Sequence, residues 1–194
     1  MKPPTLSESG ERSIELLRQT VAQYRKISGV LNRGRRDSRL TSPHDIDEGD
    51  IQRQTTLVRL LSITESYCAA RLTNYVEQKL DVASSKIHAA IWEKTAIDVT
   101  SNWANQKDAY KKWLEVDPEW RWLEGLAEAR NSVSHGLGHL TRRRLRSRAS
   151  TSSKISAAGL SLSGNALIIT DDSLIRAMDI CCNLIIDIEG QMPR

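Results

Sequence analysis

The sequence predicts an all-α fold, a helical bundle of five to six helices with a small β-hairpin before the last helix. Apolar residues recur at steps of three and four through most of the chain, the period of one helix face. Only at Gly164-Asn165 do two short apolar runs flank a turn pair of hairpin type. The length, 194 residues, is most simply one domain spanning residues 1–194, able to bury roughly 70% of its unfolded surface without staples.

A helix is expected over residues 11–31, where Ile14, Leu17, Val21, Tyr24, Ile27 and Leu31 form a stripe opposite basic and polar positions. Residues 32–50 read as a long polar loop, basic through Arg33, Arg35, Arg36 and Arg39, then acidic through Asp45, Asp47, Glu48 and Asp50. A loop of that length is either a solvated linker or a functional segment. The longest helical pattern, residues 51–80, carries Leu57, Leu61, Thr64, Cys68, Leu72 and Val76 on one face and is expected at the centre of the bundle. Further helices are expected over 82–98, with Ile87, Ile91 and Ile97, and over 101–116, with Trp103, Tyr110, Trp113 and Leu114. There is no Phe in the chain. Tryptophans 103, 113, 120 and 122 therefore serve as its large anchors, as core residues or as a stacking surface for bases.

Residues 141–156 read as a basic and then Ser-rich exposed loop, and residues 159–170 as the hairpin, which must lean on the helices to be stable. Thr170, Asp171 and Asp172 start the last helix. Its apolar residues, Leu174, Ile175, Met178, Cys181, Cys182, Leu184, Ile185 and Ile188, spread so widely that both sides need cover. One side packs in the bundle, and the other is either a dimer surface or covered within the domain.

Composition narrows the classes of function. No apolar run approaches the ~18 residues of a membrane span, and residues 1–10 lack the basic-then-apolar order of a secretory signal. The three cysteines, Cys68, Cys181 and Cys182, fall inside helical patterns and two are adjacent, which suits small buried hydrophobes in a reducing compartment. A soluble, cytoplasmic protein with no membrane partner is expected. No metal-ligand spacing, glycine-rich phosphate loop or paired-carboxylate constellation occurs, so no metal site and no cofactor are expected. The formal charge of +4 is unevenly spread, with Arg142, Arg143, Arg144, Arg146 and Arg148 in one short run. Such a run attracts phosphate, and arginine favours forked hydrogen bonds to its oxygens.

Helix signals and reactive side chains coincide in one segment. Asp117 and Pro118 supply an N-cap and an N1 proline, and Gly136 and Gly138 a C-terminal stop, for a helix over 118–135. Its last turns carry Arg130, Asn131 and His135. Asn131 and His135 share a face, whereas Arg130 points roughly 140° from His135. The same Arg-to-His spacing at Arg39 to His44 contains Pro43 in a polar run and is set aside as loop.

The string Arg130-Asn131-Ser132-Val133-Ser134-His135-Gly136 resembles the signature of the HEPN domain superfamily. The likeness extends loosely over most of the chain, with long helices before the motif, then a hairpin and a closing helix. It implies an all-α bundle that dimerises and a metal-independent endoribonuclease whose two motifs meet at the dimer cleft. RNA would be the substrate, a toxin or antiviral-defence role the setting, and an antitoxin or regulatory protein a further partner. A toxin subclass with Tyr two residues after the His is not matched, since Leu137 stands there.

Cleavage by attack of a 2′-hydroxyl needs a base, an acid and positive charge on the phosphorane. Histidine suits the proton transfers, because its unperturbed pKa of about 6.5 lies near working pH. His135 is assigned that role, Arg130 the phosphate, and Asn131 a hydrogen bond to phosphate or imidazole. The five arginines would bind RNA phosphate. Glu65, in the middle of the long helix, either orients Arg130 or His135 or is an ordinary rim carboxylate, and His139 is a possible accessory group. Two other readings remain: Arg130, Asn131 and His135 as helix C-cap groups, and a HEPN-like nucleic-acid or nucleotide-binding module that cuts nothing.

Overall fold

The computed structural model describes residues 5–37, 47–80 and 85–193. Among them are eight helices and one two-stranded sheet: α1 (Glu8–Asp37), α2 (Glu48–Leu80), α3 (Lys86–Thr100), α4 (Trp103–Leu114), α5 (Trp120–Gly136), α6 (Arg142–Leu145), α7 (Arg148–Ala157), β1 (Ser161–Ser163), β2 (Ala166–Ile168) and α8 (Asp171–Gln191). The all-α expectation holds, with eight helices in place of five to six.

The additional helices come from residues 141–156, which are not a loop. α7 buries Thr151 and Ile155, and Ala158 follows them into the core. Its serines stay on the outside, so a Ser-rich composition hides a short amphipathic helix. α7 lies close against α5 because position 125 is glycine: a Cβ there would stand 2.1 Å from the Lys154 carbonyl oxygen. The polar stretch 32–50 is also shorter than expected, since α1 runs through Asp37 and α2 starts at Glu48. Arg39 and His44 lie outside the described residues.

α2 is the central helix. Leu57, Leu60, Leu61, Thr64, Cys68 and Leu72 are fully buried along it, with α1, α3, α4, α5 and α8 packed around. α8 starts with a capping box in which Thr170 and Ser173 bond reciprocally to each other's backbone N–H. Its apolar residues pack on α1, α2 and α5, whereas Asp172, Arg176, Asp179, Asn183 and Asp187 face solvent. Most of the second side of α8 is therefore covered within the domain, while Ile175, Met178, Ile180 and Ile186 stay partly exposed. Glu189 ties its far end to the bundle by accepting from Tyr67 Oη at 2.8 Å and pairing with Arg71.

The strands pair antiparallel with Leu162 opposite Leu167, and Gly164 takes φ 60° in the turn. The hairpin leans on the segment after α5: Leu167 N–H donates to Gly138 O at 2.7 Å and Leu140 N–H to Asn165 O at 2.8 Å. The sheet thus braces the end of the helix that carries the motif. All three cysteines are buried and unpaired, and burial pushes their thiols up, with Cys181 reaching about 12. They are inert packing groups. No helix among the described residues is long and apolar enough to cross a membrane.

Candidate functional site

α5 begins later than its sequence signals suggest. Asp117 pairs with Lys111 at 2.7 Å and its N–H donates to Gln191, so its carboxylate does not cap the helix. Glu119 takes the cap position without a side-chain bond. At the other end Leu137 takes the left-handed cap conformation at φ 51° and is 88% exposed, and Gly138 follows it at φ 87°. The N–H groups of Leu137 and Gly138 both reach back to Ser132 O, and His139 N–H donates to Gly136 O at 2.9 Å, closing the end of α5.

Between these ends Trp120, Leu123, Leu126, Ala129 and Ser132 are buried. A second face is polar. Glu124, Glu128, Asn131 and His135 are spaced four, three and four apart and so form one line along the helix. The first three line a cleft of about 540 Å³ bordered also by Glu65 of α2, Trp103 and Lys107 of α4, Arg144 of α6 and Lys154 of α7. His135 does not line this cleft. It is exposed one turn beyond Asn131, about 6 Å further along the axis, with no side-chain hydrogen-bond partner among the described residues.

Arg130 lies to the side of this line and is held there by α2. Its Nη2 donates to Glu65 Oε2 at 2.6 Å, both side chains being about a quarter exposed (26% and 25%). A guanidinium has five N–H donors, and Glu65 takes one of them. Among the described residues the other donors have no acceptor, and Asn131 has no side-chain hydrogen bond either. Glu65 thus contacts Arg130 and not His135.

The rest of the cleft is internally compensated. Arg144 Nε lies 2.6 Å from Glu128 Oε2, while Lys107 and Lys154 flank Glu124 at 2.9 and 3.3 Å. The Lys107 ammonium, with Lys154 behind it, holds Glu124 below its ordinary range. Four cations and four carboxylates line the cleft, so its walls carry no net charge. The indole N–H groups of Trp103 and Trp120 are buried beside it without an acceptor. Trp120 itself is a core residue, tilted against Tyr110 at 5.9 Å, whereas Trp113 and Trp122 stand nearer the surface.

The five arginines of 142–148 do not act as one patch. Arg144 is committed to Glu128, and Arg148 donates to Gly164 O at 2.9 Å, bracing the hairpin turn. Arg142, Arg143 and Arg146 are exposed, with no partner among the described residues. His139 is exposed too, and its backbone bridges to Ala166 rather than approaching the cleft. Arg33, Arg35 and Arg36 have no described side chains. Among the described residues no group of three or more His, Cys, Asp or Glu is placed to hold a metal ion.

No protein-family model matches the chain, and no curated protein and no solved structure matches it either. The site therefore has to be read from its own geometry.

Arg130, Asn131 and Glu65 are brought together, with His135 at the exposed end of the same helix. Glu124, Glu128, Lys107 and Lys154 were not anticipated as neighbours of Arg130. The Glu124, Glu128, Asn131, His135 spacing was the available signal for the two glutamates; the lysines come from other helices and left none.

Proposed function

We propose that the chain is an endoribonuclease of the HEPN type, cleaving RNA by attack of a 2′-hydroxyl on the adjacent phosphate. The observation that carries this reading is the Arg130 guanidinium, fixed on one edge by Glu65 and free at its other donors, beside an unbonded Asn131 on the helix that ends in exposed His135. An arginine so fixed loses little freedom on taking a phosphate oxygen.

In the proposed reaction the 2′-oxygen forms a bond to phosphorus while the His135 imidazole takes its proton. The bond to the 5′-oxygen breaks, and a second acid protonates that oxygen, leaving a 2′,3′-cyclic phosphate and a 5′-hydroxyl. Arg130 holds the charge that grows on the non-bridging oxygens, and Asn131 donates to the same phosphate. One chain offers one motif histidine, so the acid is assigned to His135 of a second copy across a two-fold axis. The resemblance implies that no metal ion takes part. A toxin or antiviral-defence setting, restrained by an antitoxin or regulatory protein, follows from the resemblance alone.

A second reading is favoured by a separate observation. Arg142, Arg143 and Arg146 are free and exposed, which suits a module that binds nucleic acid without cutting it. Incubation of mixed RNA with the purified protein in excess EDTA separates the two. New 2′,3′-cyclic phosphate ends support the nuclease. Salt-sensitive binding with intact RNA transfers the reading to the binding module.

A further inference from the structure

α2, α3 and the end of α4 border a groove of about 440 Å³ that shares no lining residue with the Arg130 cleft. Val76, Trp92 and Leu114 are buried and form its floor. The rim is apolar too but exposed, with Leu80 at 52%, Ile91 at 63% and Trp113 at 45%. The Trp92 indole donates to Glu77 Oε1 at 2.9 Å and its ring lies 6.4 Å from that of Trp113, which pins the floor. Single surface isoleucines need no explanation, but an apolar concavity of this size with a few polar groups at its edge has the form of a small-molecule site.

The polar groups say which molecule. Tyr75, Lys79 and His88 line the groove, and among the described residues their side chains have no hydrogen-bond acceptor; Lys79 Nζ stands 5.5 Å over the Tyr75 ring. No Asp or Glu among the described residues lines it, and Glu77 is occupied by Trp92. Three groups able to donate, with no acid among them, match a ligand that only accepts, as a carboxylate does. The helix ends agree. Lys79 stands in the last turn of α2 and His88 near the start of α3, whose first turn holds no acid although its dipole favours one. The free donors therefore gather where α2 ends and α3 begins. From there His88, Ile91, Trp92 and Thr95 form one stripe of α3 along the groove. The stripe spans about 10 Å, the length of an extended tail of about eight to ten carbons. At its other end the Thr95 hydroxyl donates to Ile91 O at 2.8 Å, so it offers a ligand no free donor.

We infer that this groove binds the anion of a medium-chain fatty acid, with its carboxylate on Tyr75, Lys79 and His88 and its tail along Ile91, Trp92 and Trp113. The groove and the cleft are separate sites, so this inference does not rest on the nuclease reading.

Isothermal titration calorimetry of the full chain with decanoate, kept below its micelle concentration, tests it. Tryptophan emission gives a second readout, because Trp92 and Trp113 line the groove. One saturable site per chain is expected, with decanol and decylammonium bound at least about tenfold more weakly. Ile91→Glu should weaken decanoate at least about tenfold with unchanged helical circular dichroism, since that side chain is exposed in the free protein. Lys79→Arg should keep decanoate, whereas Lys79→Glu should lose it and take decylammonium instead. A wild type that ignores decanoate, decanol bound as tightly as decanoate, or an affinity untouched by Ile91→Glu and Lys79→Glu would overturn the inference. So would association with phosphatidylglycerol vesicles but not with free decanoate, which would make the groove a contact for a lipid surface.

Discussion

Arg130 of α5 donates to Glu65 of α2 at 2.6 Å, joining two residues 65 positions apart at the mouth of the cleft that Asn131 also lines. Both side chains are partly hydrated, so the pair contributes little to stability; its larger effect is to fix where the guanidinium stands. Glu65→Ala should cost about 1 kcal/mol in urea denaturation. If the site cleaves RNA, the same change should lower kcat about 10- to 100-fold by misplacing Arg130. Glu65→Asp should recover part of that rate, which a purely structural carboxylate would not require.

The close approach of α5 and α7 rests on Gly125. Its added Cβ would meet the Lys154 carbonyl oxygen at 2.1 Å and the Ala158 Cβ at 2.7 Å, neither of which can swing away. Gly125→Ala should therefore destabilise by about 3 kcal/mol despite alanine's better helix propensity. An unchanged melting temperature would mean that α7 is not seated as described.

Leu137 adopts φ 51° with its side chain in solvent, a conformation that costs a non-glycine residue energy and here buries nothing in return. Leu137→Gly should stabilise the fold by about 1 kcal/mol, read from the denaturation midpoint at constant m-value.

The Gly164-Asn165 pair announced the hairpin, and the three-four rhythm announced α1, α2, α5 and α8, because periodicity and turn chemistry are local. α7 escaped because its inward residues Thr151 and Ile155 are outnumbered by serines, and its seat depends on a glycine on another helix. The partner of Arg130 was only a candidate, since nothing local distinguishes Glu65 from any other carboxylate midway along α2. Glu124 and Glu128 had the spacing of a cleft wall, but the lysines and arginine that neutralise them come from α4, α6 and α7 and leave no local signal.

Glu124 gives the cleft a pH dependence. Lys107 and Lys154 depress its folded-state pKa, so its contribution is present above the unfolded value and is lost as pH falls through the folded one. Glu124→Gln should lower stability at pH 7 by well under 1 kcal/mol, since the carboxylate is more than a third exposed. The difference from wild type should vanish under acid conditions where both glutamate states are protonated.

The free arginines make a salt prediction. If Arg142, Arg143 and Arg146 contact single-stranded phosphates, their joint removal should reduce the log-log salt slope of RNA binding by about 2, at roughly 0.7 per contact. Replacing Arg144 and Arg148 instead should act mainly on stability, because both are occupied within the fold.

The most direct test of the central claim compares RNA cleavage, in excess EDTA, by the wild type and by Arg130→Ala and His135→Ala proteins shown to be folded. The account predicts cutting by the wild type and losses of at least about 100-fold in both variants, with RNA binding by His135→Ala little changed. Cleavage that persists undiminished in both would contradict it and remove the function from this helix.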